Sequence, residues 1–187
     1  VATRDSTRTK LLDAADELLF TRGVVATPVD AILERAGVSP ATLYRAFGSK
    51  EGLVAAVLDR RHREWIAVWD ACVARATDDR GRLLAVLDAL DEFQRRPDAA
   101  RWCAFLGTAA EYADPPAVLA AAIQQDSDSM RARLTALAEP LAGSGAPALA
   151  DALVLVVSGH LALGLRGVGA DGTAVARSVA EALVSRT

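Results

Sequence analysis

The sequence predicts an all-α protein of nine helices. Three observations carry that prediction. Apolar residues recur at spacings of three and four through most of the 187-residue chain, in a composition rich in Ala, Leu, Arg and Glu, which favours helix. Start and stop signals punctuate the pattern: Thr27-Pro28 and Ser39-Pro40 open helices, while Gly23, Gly37 and Gly48 close them. No alternation of apolar and polar residues lasts long enough to read as a strand.

The elements follow in order. Residues 9–22 place Leu12, Ala15 and Leu19 on one stripe, with Leu11 and Leu18 beside it, and Gly23 follows as a C-cap. Thr27-Pro28-Val29-Asp30 supplies a capping hydroxyl, a proline in the first turn and an acid behind it, so a second helix runs to Ala36 with Gly37 after it. The third helix is short, 40–47. Gly48 ends it and Ser49 caps a long fourth, 50–74. Break residues at 78–81, Arg96-Pro97, Asp114-Pro115-Pro116, 140–147 and 167–172 separate further helices at 80–95, 98–112, 116–138, 148–166 and 173–185. The 50–74 helix is expected to join a small domain, 1–50, to a larger one, 51–187.

Composition bounds the function. A 52% hydrophobic chain with net charge -3 can build a core and is not a disordered tail. The acidic average argues against a nucleic-acid partner, but it is unevenly spread. Residues 1–66 carry ten basic and nine acidic side chains, and 67–187 carry eleven and fifteen. Cys72 and Cys103 lie far apart and form no CxxC, and two histidines are too few for an ordinary zinc site, so no metal and no cofactor are expected. No Ser-His-acid, phosphate-loop, HExxH or paired-carboxylate motif suggests catalysis. Gly164, Gly167, Gly169 and Gly172 follow no strand and read as a turn. The first ten residues lack the apolar segment of a signal peptide, which with the cysteine usage points to the cytoplasm. The most apolar run, 153–165, is shorter than the roughly 20 residues a membrane span needs and reads as a buried helix.

One motif carries function. Two helices of about eight residues joined by Gly37-Val38-Ser39 form a helix-turn-helix signature. Gly37 relieves the reversal, Val38 fills the angle between the helices, and Ser39 caps the second helix. That leaves the first turn of the second helix free to enter a major groove. Backbone N–H groups there and at the Thr27 end suit phosphate oxygens.

Residues 11–57 resemble the N-terminal domain of the tetracycline-repressor (TetR) family of bacterial transcriptional regulators. The likeness rests on LLF with Gly23 in the first helix, the Thr27 start, AGVS at 36–39, TLYRAF at 42–47 and SKEGL at 49–53. It implies an all-α architecture with an N-terminal three-helix helix-turn-helix domain and a C-terminal helical domain that dimerises and binds a ligand. Carried over by position, it implies phosphate contacts from Thr27, Tyr44 and Lys50. Ser39, Pro40 and Ala41 fall in the leading turn of the recognition helix, and Thr42 reaches a phosphate or a base. Arg45 is the residue best suited to read sequence, because arginine pairs bidentately with guanine. Arg4, Arg8 and Lys10 form a basic lead-in.

In the C-terminal part, Trp65, Trp69 and Cys72 share a helix face by spacing, and Phe93, Trp102, Phe105 and Tyr112 follow. Large flat side chains between helices make a pocket for an apolar or aromatic small-molecule effector, or simply fill a core otherwise built of alanine. The last two helices offer Val154, Val157, His160, Leu161, Gly164, Val175, Val179 and Leu183. The resemblance makes them a four-helix homodimer interface. A two-fold dimer sets recognition helices about 34–36 Å apart and implies a palindromic double-stranded operator. The expected function is a ligand-released homodimeric repressor. An activator of the same architecture, or a sensor of small molecules or proteins without enzymatic activity, is the alternative.

Overall fold

A computed structural model describes residues 2–96, 103–167 and 172–186, with side chains from residue 6 onward. Among these residues the fold is all-α, with nine helices, a single 3₁₀ turn and no strand. The helices are α1 (Ala2–Arg22), α2 (Val29–Ala36), α3 (Pro40–Phe47), α4 (Lys50–Arg75), α5 (Asp79–Gln94), α6 (Ala104–Glu111), α7 (Ala117–Ala142), α8 (Ala146–Leu165) and α9 (Ala174–Val184).

The punctuation read from the sequence is visible at most helix ends. Gly37 takes the left-handed conformation at φ 66°. Its N–H bonds to Glu34 O, while that of Val38 bonds to Leu33 O, both at 3.2 Å. This is the paired C-terminal closure that a β-carbon would strain. Pro40 stands in the first turn of α3, and Gly48, at φ 77°, closes that helix with its N–H on Tyr44 O at 2.9 Å. Ser49 Oγ accepts from Gly52 N–H at 3.0 Å, and Asp78 caps α5 through Gly81 N–H at 2.6 Å.

Two expectations fail at helix ends. Pro140 does not break the chain: α7 runs through it to Ala142, the 3₁₀ turn Gly143–Gly145 follows, and α8 starts at once. A proline in the last turn removes one N–H, and the carbonyl it strands, on exposed Ala136, is open to water. Thr27 is not the side-chain cap of α2. The capping position is Pro28, and the Thr27 hydroxyl faces inward.

The chain divides into two compact units, Val1–His62 with Ala100–Gln124, and Arg63–Ala99 with Gln125–Thr187. This packing division differs from the 1–50 and 51–187 segments expected for function. The core of the first unit gathers Leu11, Ala15, Leu19 and Phe20 of α1, Ile32 and Leu33 of α2, Leu43 of α3, and Leu53, Val57 and Leu58 of α4. Ala104 of α6 and Leu119 of α7 are buried with them. An ionic network ties α4 to α1 within this unit: Asp16 accepts from Arg61 Nε at 2.5 Å and Arg60 Nη2 at 3.2 Å, and Arg61 also lies 4.9 Å over the Phe20 ring.

The core of the second unit is built by Trp65, Trp69 and Cys72 of α4, Leu83–Leu87 and Leu90 of α5, Leu134 and Ala138 of α7, Leu149, Leu153 and Val157 of α8, and Ala176, Ala180 and Val184 of α9. Asp91 accepts from the backbone N–H of Thr173 at 3.1 Å and from its hydroxyl at 2.8 Å, fixing the entry to α9.

Helix α8 is not the buried helix expected from its composition. Leu155 is 74% exposed, and Leu163 and Leu165 also face outward. The stretch Ala117–Leu165 contains a window apolar enough to cross a membrane by length and composition, of which 22% is buried within the chain.

Candidate nucleic-acid interface

In the first unit α2, the Gly37 turn and α3 build the helix-turn-helix. Leu43 is fully buried and seats α3 on the core, while Val38 and Phe47 pack against the same core from its edge. One side of α3 is then left outward. Pro40, Ala41, Tyr44 and Arg45 are exposed there, with Tyr44 at 52%. Thr42 is half-buried, and its hydroxyl lies 3.0 Å from that of Ser39, so the two share a hydrogen bond at the leading turn. Ser39 holds the helix start through its carbonyl, which accepts from Thr42 N–H at 3.0 Å, and its side chain makes no capping bond. Ser39, Pro40, Ala41, Thr42, Tyr44 and Arg45 therefore form one continuous outward patch.

The other expected contacts sit differently. Thr27 is fully buried, and its hydroxyl donates to Gly23 O at 2.6 Å with Leu18 O at 3.2 Å. Its role here is to close the α1–α2 turn, and its hydroxyl is not presented to a phosphate. Lys50 is half-buried and donates Nζ to Val24 O at 2.5 Å. Burial lowers its pKa from the usual lysine value, against the opposing pull of Glu51 and Glu111. Arg8, expected in a basic lead-in before the first helix, lies within α1, stacks 4.4 Å over Phe47 and donates to Ala46 O at 3.3 Å, so it braces α3 from α1. Lys10 is exposed, and the side chain of Arg4 lies outside the described residues.

The seven aromatic and thiol residues expected to share one pocket are divided. Trp65, Trp69, Cys72 and Phe93 pack in the second unit, with ring centroids 5.6 Å apart for Trp65–Trp69 and 5.8 Å for Trp65–Phe93. Phe105 and Tyr112 pack instead against the core of the first unit, and Trp102 lies outside the described residues. The spacing of Trp65, Trp69 and Cys72 on one helix face agrees with their common core, while Phe105 and Tyr112 part from them because residues 104–122 return to the first unit. Arg133, which the sequence did not single out, lies 4.8 Å over Trp69 and pairs with Asp70. The indole N–H of Trp69 and the Nε of Arg133 are buried without a hydrogen-bond partner among the described residues. Burial raises the Cys72 thiol pKa above its ordinary value, a second cause being the Glu92 carboxylate.

The expected interface residues also separate. Val157 is 1% exposed and belongs to its own unit's core, and Val154, His160, Leu161 and Leu183 are half-buried. Gly164, Val175 and Val179 face outward, Val175 at 78%. Leu155 and Leu163, absent from the sequence reading, lie eight apart on the outer stripe of α8 with Ser158 and Gly159 between them. A helix apolar all round gives no contrast by which its two faces can be told apart. No group of three or more His, Cys, Asp or Glu suited to a metal occurs among the described residues.

The fold and this patch define a helix-turn-helix protein with a second all-helical unit. Comparison with known proteins carries this further. Residues 11–57 match the model of bacterial regulatory proteins of the tetR family. The chain is 27% identical to SCO4454, a TetR-family transcriptional regulator from Streptomyces coelicolor, whose crystal structure it overlays with TM-score 0.84 across 97% of this chain and 96% of that one. It is 40% identical over 90 residues to the HTH-type transcriptional activator FasR of Mycolicibacterium smegmatis, covering 48% of this chain and 41% of that protein. It is 32% identical over 108 residues to the HTH-type transcriptional regulator BetI of Burkholderia ambifaria, covering 56% of each. The matches thus span about half the length of these curated relatives, or less. Residues 11–57 thus carry the helix-turn-helix domain of the tetR family of bacterial regulatory proteins, and the chain as a whole shares the fold of a TetR-family transcriptional regulator.

Proposed function

We propose that the protein is a sequence-specific DNA-binding transcriptional regulator, acting as a homodimeric repressor released by a small molecule. The observation that carries this is the outward patch on α3, with Tyr44 and Arg45 exposed on a helix seated by buried Leu43. An exposed helix with a hydroxyl, a guanidinium and a small first turn fits a major groove. The apolar outer stripe of α8 and the exposed Val175 and Val179 of α9 support a second copy as their cover. The Trp65–Trp69–Phe93 cluster, with an indole N–H lacking a partner among the described residues, supports an aromatic effector that bears a hydrogen-bond acceptor. DNA and effector would oppose each other through a reciprocal coupling. The cytoplasm, where duplex DNA is accessible, is the compartment that agrees with this role.

The test is selection of duplexes from a random-sequence pool by the purified chain. The expected product is a palindrome, bound with an affinity that falls steeply as salt rises. No salt-dependent duplex binding at all would overturn the proposal. A second reading, activation, is favoured by the name of FasR, a transcriptional activator. With the selected operator placed before a reporter promoter, loss of the protein raises output for a repressor and lowers it for an activator.

A further inference from the structure

The turn between α1 and α2 is held by a side chain from far along the chain. Glu111, the last residue of α6, accepts from Val24 N–H through Oε1 at 3.0 Å and from Val25 N–H through Oε2 at 2.7 Å. Lys50, the first residue of α4, donates to the carbonyl of Val24 at 2.5 Å. The Val24 residue is therefore gripped on both sides, its N–H by an anion and its C=O by an ammonium. Gly23 makes room for the carboxylate: its φ is +101°, and a Cβ there would lie 3.3 Å from Oε2. Backbone amides in a turn must find acceptors, and a carboxylate that takes two of them at once makes charge-assisted bonds of the stronger kind. Thr27 completes the closure from inside, on Gly23 O and Leu18 O.

We propose that Glu111 is a positioning residue for DNA binding. Its carboxylate fixes the α1–α2 turn and, through the shared Val24, the side chain of Lys50. The outer edge of that turn and the start of α2 then meet the phosphate backbone in one register. The inference rests on the DNA-binding function proposed above. Glu111 is itself an anion, which a phosphate would repel, so its effect runs through the residues it holds. Val25, 57% exposed, with Ala26 and Pro28 beside it, forms the outward edge that its two bonds orient. Only a carboxylate offers two equivalent acceptor oxygens. Glutamine keeps one and turns a donor toward the other amide.

The experiment measures full-length Glu111→Ala and Glu111→Gln against wild type, using the palindromic duplex that the wild-type protein selects. Affinity is read across a salt series, and thermal unfolding is followed in parallel. Glu111→Ala is expected to weaken binding about tenfold, the loss of two charge-assisted bonds being spread over a turn that then wanders. The salt slope should fall in magnitude by about two, one phosphate contact being lost from each of the two heads. A purely structural role would lower the fraction of active protein and leave the slope of the active molecules unchanged. Glu111→Gln, nearly isosteric, is expected to fold and to fall between the two. If wild type selects and binds a duplex while both folded variants bind it with an unchanged slope, whatever their affinity, the inference is overturned. If wild type binds no duplex, it is the functional proposal that fails.

Discussion

A β-carbon placed on Gly52 would overlap the carbonyl oxygen of Phe47 and lie 3.2 Å from its carbonyl carbon. The first turn of α4 thus passes the end of α3 with only a hydrogen atom between them. Gly52→Ala is expected to cost about 1–3 kcal/mol, the usual penalty for overpacking against atoms that cannot yield. Gly145→Ala is the contrast, because its φ of −83° suits any residue and a Cβ there meets only the Ala142 Cβ at 3.8 Å. It should instead gain up to about 1 kcal/mol by restricting the unfolded chain. Urea unfolding of both variants measures the difference, and equal midpoints would contradict the close approach.

Tyr44 and Arg45 are exposed, so their removal should separate binding from folding. Arg45→Ala is expected to cost about 1–3 kcal/mol of operator affinity and to relax preference at one base position. Tyr44→Phe should weaken all duplexes about equally, as loss of a phosphate hydrogen bond does. Unfolding free energy should move by less than about 0.5 kcal/mol in either variant. Operator titrations beside melting curves check this, and a variant that loses stability and affinity together contradicts it.

Thr27 is the reverse case. Its buried hydroxyl closes a turn, so Thr27→Val should destabilise the protein by about 1 kcal/mol. Thr27→Ser, which keeps the donor, should recover most of that loss. Chemical denaturation distinguishes the two. A Thr27→Val protein as stable as wild type but deficient in DNA binding would restore the outward role expected from the sequence.

The two faces of α8 should respond differently. Leu155→Glu combined with Val175→Glu is expected to halve the solution mass while leaving helicity intact, because both side chains are outward. Val157→Ala, at a position 1% exposed, should instead cost about 2 kcal/mol of stability through a cavity in its own unit. Light scattering and denaturation read the two outcomes, and an unchanged mass in the double variant would remove the proposed interface.

Arg131 holds Asp151 through two bonds, 2.5 and 3.0 Å, and this hydrogen bonding keeps the Asp151 carboxyl below its usual pKa of 3.8. A carboxyl with a lower pKa folded than unfolded stabilises the fold above the unfolded value and loses that contribution as pH falls through the folded one. Asp151→Asn should therefore be slightly less stable than wild type near neutral pH and equal to it in strong acid. Both groups are exposed, so added salt should shrink the gap. Stability measured against pH for the two proteins tests it.

The sequence was most legible where local chemistry decides the outcome. Gly37, Ser39-Pro40, Gly48 and Ser49 set the ends of α2, α3 and α4 within a residue, because caps and prolines act on their own neighbours. The outward residues of α3, Tyr44 among them, were legible through the resemblance of residues 11–57 and not through caps, and they are exposed. Direction was harder. Thr27 carries every mark of a cap, yet its hydroxyl finds two carbonyls inside the turn. Val157 and Leu155 are equally apolar, and only packing separates them. Phe105, Tyr112 and Glu111 were out of reach because their partners lie many tens of residues away, 87 in the case of Glu111 and Val24. Pairings of that range leave no period in the sequence.

The unit that carries the helix-turn-helix is thus discontinuous, with Ala104 and Leu119 buried beside α1 and α4, and Glu111 on the α1–α2 turn. A single crossover that grafts residues 1–62 onto the body of a relative would leave the amides of Val24 and Val25 facing a stranger's α6. Recombination of heads and bodies, in a laboratory or in a genome, has to carry 104–122 along with the head or re-evolve the acid at its end.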